Sequence, residues 1–453
     1  MYEPIAAIAT GPVPAAIGIL RLSGDGVPEI LDRVFRPLRG GPMSRRPDRT
    51  LVYGALVNAR GETLDLCLCT LSRGPGSYTG EDTAEVQCHG SPMVLRLGLE
   101  ALFAAGARQA LPGEFTKRAF LNGRMDLVQA EAVIDLIEAE SALAAKNAAG
   151  QLGGAVSRRT DAVYETLRDI SSHYHAVIDY PDEDIEDFTL AAYAGRLRSA
   201  AAELGRLAES HERGRLVAGG LPTAIVGRPN AGKSALLNAL LGYDRAIVTA
   251  VPGTTRDTIS ERCDLGGVLL RLTDTAGLRA TDDAVERLGV ERSRAALAEA
   301  ALALVLCDGS GPFTAEDRDL LRQAEAHCPA LLLRSKADLP QAVWPEPWAS
   351  RALPVSARTG AGLAALGEAV RAIAPPPDQT EAGEILTNAR QAEAVARARD
   401  SVRAALEAME QGVTPDAVLT ETEAAMQALG ELTGRTVRED VTNGIFARFC
   451  VGK

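Results

Sequence analysis

Nothing in this 453-residue chain is apolar for long enough to suggest a membrane span, and its first residues lack the basic, then apolar, then small-residue order of a secretory leader. Positive charge is scarce as well. With 48 Lys and Arg against 60 Asp and Glu the formal net charge is −12, which argues against a general nucleic-acid coat. Any RNA contact has to come from a local basic patch. Arg36, Arg39, Arg45, Arg46 and Arg49 offer such a patch, or else a plain arginine-rich surface loop. The seven cysteines show no CxxC pair and no metal-ligand spacing, which fits a reduced cytoplasmic interior. Cys67 and Cys69 alternate along a strand-like run and so share one face.

What the chain does have begins at residue 225. Ile225-Val226-Gly227-Arg228-Pro229-Asn230-Ala231-Gly232-Lys233-Ser234 is an apolar strand running into a GxxxxGK[ST] loop, with the apolar helix Ala235 to Leu241 after it. Gly227 and Gly232 let the backbone wrap a phosphate with its N–H groups, and the following helix turns its positive end to the same anion. Lys233 would neutralise the outer phosphates and Ser234 would ligate magnesium. Val268 to Leu272 reads as a second strand, ending in Asp274-Thr275-Ala276-Gly277, where a carboxylate can hold a magnesium-bound water and a glycine N–H can meet the γ-phosphate. Leu331-Leu332-Leu333 ends in Ser335-Lys336-Ala337-Asp338, a guanine-reading NKxD motif with serine in the asparagine position. Asp338 discriminates, because its two oxygens can accept from both the ring N–H and the exocyclic amine of guanine. Pro354-Val355 leads to Ser356-Ala357-Arg358, a backbone contact for the guanine carbonyl. Four motifs in this order on strand ends describe a GTPase domain with its ligand at the carboxyl edge of a mostly parallel sheet.

The residue after Gly277 is Leu278, not the glutamine that many GTPases use to orient the attacking water. Thr249-Ala250-Val251-Pro252-Gly253-Thr254-Thr255 suits a loop closing over the phosphates with one hydroxyl on magnesium. Asp282-Asp283-Ala284-Val285-Glu286 fits either a water-orienting carboxylate or a solvated helix start.

Length alone predicts two to four domains. Short β-rich runs at Ile5 to Thr10, Ala16 to Leu22, Leu51 to Val57, Leu64 to Leu71 and Ala84 to Cys88, with a helix from Met93 to Ala105, form an α+β module. Helical periodicity follows from Asp126 to Tyr180, broken at Gly153-Gly154, then from Leu190 to Glu212. After the proline run at 375–377 it resumes at Glu384 to Gln411, Thr414 to Gly430 and a short last helix. Helical blocks on both sides predict a GTPase domain inserted into one helical domain, so that switch movement reaches the helices through both connections.

Several stretches carry a resemblance: Gly18 to Gly24, Ser77-Tyr78-Thr79-Gly80-Glu81-Asp82, Pro112 to Gly123, Asp126 to Ala132, the GTPase set, and the terminus Ile445 to Lys453. On these the chain resembles, end to end, the MnmE (TrmE) family of tRNA-modification GTPases. The resemblance implies a multidomain fold: an α+β N-terminal folate-binding and dimerisation domain (1–118), a central all-α helical domain in two parts (119–214 and 377–453), and an inserted α/β P-loop GTPase domain (215–376). It implies a cytoplasmic homodimer that forms a heterotetramer with the FAD-bearing flavoprotein MnmG. Together they would add an aminomethyl or carboxymethylaminomethyl group to carbon 5 of the wobble uridine of certain tRNAs, using a formyl or methylene tetrahydrofolate derivative. A ribosome-assembly GTPase switch without folate chemistry is the alternative.

By motif match, GTP contacts fall on residues 230–235, 249–255, 274–277, 335–338 and 356–358. Within these stand Asn230, Ala231, Gly232, Lys233, Ser234, Ala235, Thr249, Ala250, Val251, Pro252, Gly253, Thr254 and Thr255. The resemblance implies Mg2+ on Ser234 and Thr255, K+ on Asn230, Thr249, Val251 and Thr254, and Glu286 as the water-orienting carboxylate. Folate would contact Arg21, Glu85, Arg124 and Lys453, with Arg124 replacing the family's usual lysine. Cys450 is a candidate nucleophile, or simple packing in a terminal helix.

Overall fold

The computed structural model describes residues 2–179, 190–243, 261–272, 297–375, 383–436 and 439–452. It divides into two compact units. One comprises 1–134, 157–193 and 404–453, the other 135–156 and 194–403.

The first unit is built on a seven-stranded sheet. In chain order its elements are β1 (Ile5–Ile8), β2 (Ala15–Ser23), α1 (Val27–Val34), β3 (Phe35–Pro37), β4 (Val52–Val57), β5 (Thr63–Ser72), β6 (Thr83–Gly90), α2 (Pro92–Ala104), β7 (Arg108–Gln109) and α3 (Glu114–Leu121). The spatial order is β3-β4-β5-β6-β2-β1-β7. Period-two alternation decides the faces. Leu20, Leu22, Cys67, Cys69, Leu71, Val86 and Cys88 point to one side, where α1 and α2 bury them in a common core. Gly18 permits that packing, since a Cβ there would stand 2.5 Å from Leu95 Cδ1. The opposite face carries Arg21 and Glu85, directly paired in the β2–β6 register.

The helical blocks follow as α4 (Leu127–Ile137), α5 (Ala142–Leu152), α6 (Ala155–Asp179) and α7 (Leu190–Gly219), with the break at Gly153-Gly154 where expected. In the second unit α7 runs nearly two turns past the expected Glu212, to Gly219. Its Gly214 lies against the 383–386 segment so closely that a Cβ would meet the Leu386 carbonyl at 2.0 Å.

The α/β part of that unit has β8 (Leu221–Gly227), α8 (Lys233–Tyr243), β9 (Glu261–Leu265), β10 (Val268–Leu272), β11 (Leu302–Asp308), α9 (Ala315–His327), β12 (Ala330–Ser335), α10 (Trp348–Arg351), β13 (Leu353–Pro354) and α11 (Leu363–Ile373). The sheet order is β13-β12-β11-β8-β10-β9, parallel except for β9. Six of the seven residues of β11 are buried, as a strand covered on both faces requires.

The chain ends with α12 (Ala389–Glu410), α13 (Pro415–Thr433) and α14 (Glu439–Phe446). The expected helix start at Glu384 is corrected to Ala389. Residues 383–386 are instead tied to α5 and α7: Gly383 N–H donates to Asn147 Oδ1 at 2.8 Å, and the Ile385 carbonyl accepts from the Asn147 side chain at 3.1 Å. Pro415 opens α13 and Gly434, at φ 89°, closes it.

Candidate functional site

Two groups of predicted residues come together, one in each unit. In the second unit the carboxyl ends of β8, β11, β12 and β13 lie side by side. Gly227 ends β8 where a Cβ would stand 2.4 Å from the Leu306 carbonyl, so the loop can leave the sheet only through glycine. Asn230 and Gly232 then take left-handed backbone conformations, at φ 61° and 98°. Lys233 begins α8 and donates from Nζ to the Gly227 and Arg228 carbonyls at 2.7 and 2.9 Å. Burial pushes its pKa below the ordinary lysine value. The result is a cation inside a loop at a helix N-terminus, an arrangement that suits a phosphate chain. Arg228 fastens the loop from outside, pairing with Glu316 at 2.9 Å and donating to Thr314 Oγ1 at 3.1 Å in the capping box of α9.

At the neighbouring strand ends, Ser335 closes β12 with a buried hydroxyl that has no hydrogen-bond partner among the described residues. Lys336, at φ 55°, reaches back to Asp308 at the end of β11, Nζ to Oδ2 2.6 Å. The Ser356 hydroxyl donates to Asp338 Oδ1 at 2.6 Å and Arg358 Nη2 lies 2.9 Å from Oδ2. Those two contacts hold the carboxyl below its ordinary pKa, the serine hydroxyl contributing most. Both Asp338 oxygens, expected to face guanine, thus already carry protein donors, so an incoming base shares or displaces them. Of the other predicted GTP and metal residues, Thr249 to Thr255, Asp274 to Gly277 and Glu286 lie outside the described residues.

In the first unit Arg21 and Glu85 form an ion pair, with Nε and Nη2 at 3.0 and 2.8 Å from the same Oε1. The Arg21 guanidinium carbon also lies 5.9 Å from the centre of the Phe115 ring and 6.0 Å from that of Tyr78. Its Nη1 donates to the carbonyl of Gly452 at 3.3 Å. That contact brings the last described residues to the first sheet. Val451 bridges to Pro112, Gly113 N–H donates to the Cys450 carbonyl at 3.3 Å, and Phe446 and Phe449 pack beneath with their rings 5.4 Å apart. Gly452, at φ 101°, lies so near β1 that a Cβ would meet the Ile8 carbonyl at 2.6 Å. The Cys450 side chain is exposed, and Arg124 is exposed beside Gly80. Lys453 lies outside the described residues.

Behind Arg21 stands a buried network that spacing did not reveal. Arg118 pairs with Glu81 and Glu114, each at 2.9 Å, and donates to the Glu3 carbonyl. Ser23 Oγ donates to the same Glu81 oxygen at 2.7 Å, and Arg108 closes on Glu114 at 2.6 Å. Burial raises the Glu114 pKa but the two arginines and the Leu111 N–H outweigh it, leaving the carboxyl at about 2. The network braces α3 and the 77–82 loop, which together present Phe115 and Tyr78 to Arg21. In the arginine-rich stretch, Arg46 and Arg49 donate to the loop carbonyls of Arg39, Gly41 and Gly76.

Two family descriptions match the chain, "GTP-binding protein TrmE N-terminus" over residues 4–124 and "MnmE helical domain" over residues 127–450. Among curated proteins, the chain is 44% identical to a tRNA modification GTPase MnmE of Symbiobacterium thermophilum, covering all of this chain and 99% of that protein. Proteins of the same name from Thermus thermophilus and Chloroflexus aurantiacus are 44% and 43% identical, each pair covered completely.

Proposed function

The chain belongs to the MnmE family of tRNA modification GTPases, and from that premise we propose that it couples GTP hydrolysis to the modification of carbon 5 of the wobble uridine in certain tRNAs. The proposed partners are a second copy of the chain and the flavoprotein MnmG, in the cytoplasm. The one-carbon unit would come from a tetrahydrofolate derivative. The proposed domains are those drawn above, at 1–118, 119–214 with 377–453, and 215–376.

The observation that carries this reading is the meeting of Arg21 with Gly452 between two aromatic rings. A fixed cation beside flat rings, next to a carboxylate that accepts N–H bonds, has the chemistry to hold a heteroaromatic ring with an anionic tail. Arg124 would meet the tail carboxylates with Lys453. Glu85 would orient the ring through its N–H groups, and the exposed Cys450 thiol would be the nucleophile. At the nucleotide site Lys233 and the 227–232 backbone would hold the phosphates, and Asp338 would read guanine with Ser356 beside it. Ser234 and Thr255 would carry Mg2+. K+ would sit on Asn230, Thr249, Val251 and Thr254, neutralising charge that builds between the outer phosphates.

The test is mass analysis of wobble uridines in cells lacking the protein, resupplied with wild type or Arg21→Ala. We expect the modified uridine to vanish, to return with wild type, and to stay absent with Arg21→Ala although that variant still hydrolyses GTP. Modified uridine at normal levels in the deletion strain would overturn the reading.

A further inference from the structure

Three side chains on the core side of the first sheet converge without a role in either site above. Asp65 and Cys67 stand two residues apart on β5 and so share a face, and the β5–β6 register, which pairs Leu68 with Gln87, sets Cys88 opposite Cys67. One carboxylate oxygen of Asp65 and the sulfurs of Cys67 and Cys88 all lie within 4.8 Å of one another. Both thiols are buried.

The carboxylate is held in place for a further ligand. Asp65 Oδ1 accepts from the Leu66 N–H and from the His89 ring, each at 2.8 Å, and Oδ2 accepts from the His89 N–H at 2.8 Å. Three donors fill three of its roughly four lone-pair positions and leave about one. The ring nitrogen that faces the carboxylate is Nδ1, and the rest of the His89 ring is turned outward, 76% exposed. Carboxylates that ligate metals are themselves held by hydrogen bonds of this kind.

We propose that Asp65, Cys67 and Cys88 form a binding site for a thiophilic divalent cation such as zinc. Tetrahedral zinc, with Zn–S near 2.3 Å and Zn–O near 2.0 Å, needs its sulfurs about 3.8 Å apart and sulfur to oxygen about 3.5 Å. The three atoms therefore close by at most about 1.3 Å, a shift on the scale of a side-chain rotation. Water at the Asp65 end, where His89 opens to solvent, completes the fourth position.

The metal ligand is the thiolate, so both sulfurs must give up their protons to the incoming ion. Binding then replaces two S–H bonds with two metal–sulfur bonds and releases two protons, so affinity rises with pH. Cys69, further along the same face, and His89 are the other titratable groups beside the site. Bound metal would lock β5 to β6 three residues from Glu85, so this is a structural site supporting the face that carries Arg21.

The experiment uses the full chain, stripped with chelator and titrated with Co2+ as a spectroscopic probe. We expect one equivalent to produce a thiolate-to-cobalt charge-transfer band and a tetrahedral visible spectrum, with release of two protons, and zinc to displace it. Cys67→Ser and Cys88→Ser each abolish the band, Asp65→Asn weakens binding tenfold or more, and Cys307→Ser and Cys450→Ser leave it unchanged. GDP binding by each variant reports that the second unit is intact, and amide exchange over 63–90 that β5 and β6 are formed. No band in wild type at pH 8, or a band surviving in folded Cys67→Ser and Cys88→Ser, would overturn the proposal.

Discussion

Replacing Arg118 by methionine tests whether the buried network behind Arg21 holds the first unit together. The guanidinium is 6% exposed and its partners Glu81 and Glu114 are 5% and 11% exposed. Methionine fills much the same volume but leaves both carboxylates without that cation. Glu114 keeps Arg108 and the Leu111 N–H. Glu81 keeps only Ser23 on Oε2, while its Oε1 already lacks a partner among the described residues. Glu81 therefore bears most of the damage, and removing one side of such a buried pair costs about 3 to 5 kcal/mol.

The pH dependence separates this cause from general misfolding. In the wild type Glu114 sits at about 2 against an ordinary 4.5. It contributes about 3 kcal/mol above pH 4.5, and this is lost as pH falls towards 2. In the variant Glu114 loses one of its two arginines, so less of that acid-side stability is there to lose and the two proteins converge as the pH falls below 4.5. Urea unfolding followed by amide hydrogen exchange over 3–34 and 83–121 reads the first unit. The two tryptophans, Trp344 and Trp348, both belong to the second unit, so their fluorescence is an internal control. Adding Glu81→Gln to Arg118→Met should restore more than half of the loss. A loss below about 1 kcal/mol, or an equal shift in the tryptophan transition, refutes the argument.

Three further outcomes are expected. GTP turnover should require potassium, and Glu286→Ala should slow it by about two orders of magnitude with nucleotide binding nearly unchanged; equal rates in sodium and potassium at matched ionic strength would count against both. Ser335→Asn should place an amide where a buried hydroxyl has no partner among the described residues and tighten GDP binding by about 1 kcal/mol, measured by calorimetry, whereas weaker binding would mean that the pocket is fitted to serine. Deleting residues 450–453 should abolish tRNA modification and weaken folate binding with GTP hydrolysis largely kept, and Cys450→Ser should stop modification while sparing folate binding; full modification by the serine variant removes the thiol from the chemistry.

Local pattern was legible where it depended on few neighbours. The alternation in β5, the strand before Gly227 and the helix break at Gly153 all act through backbone geometry within a few residues, whereas the helix expected to stop at Gly430 runs on to Thr433. Ser335 was visible as a departure from NKxD, but its lack of a partner depends on what surrounds the end of β12. Partners distant in sequence were hidden for the same reason. Nothing in the spacing of Glu81 and Arg118, 37 residues apart, predicts an ion pair, and Cys67 faces Cys88 only once the β5–β6 register is known. The extended 383–388 segment reads as helix by composition, and only its hydrogen bonds to α5 and α7 pull it straight.

The contact between Arg21 and Gly452 joins residues 431 positions apart, and this has a consequence in time. At a synthesis rate of about 5 to 20 residues per second, the last strand of the first sheet leaves the ribosome roughly 17 to 70 s before the residues that complete it. Through that interval the space taken by Val451 and Gly452 against Pro112 and Ile8 is open to whatever strand arrives first. On a polysome, an older neighbouring chain can supply the same segment before the younger chain has made its own. Slowing elongation late in the message should lengthen the interval in which such an exchange can occur.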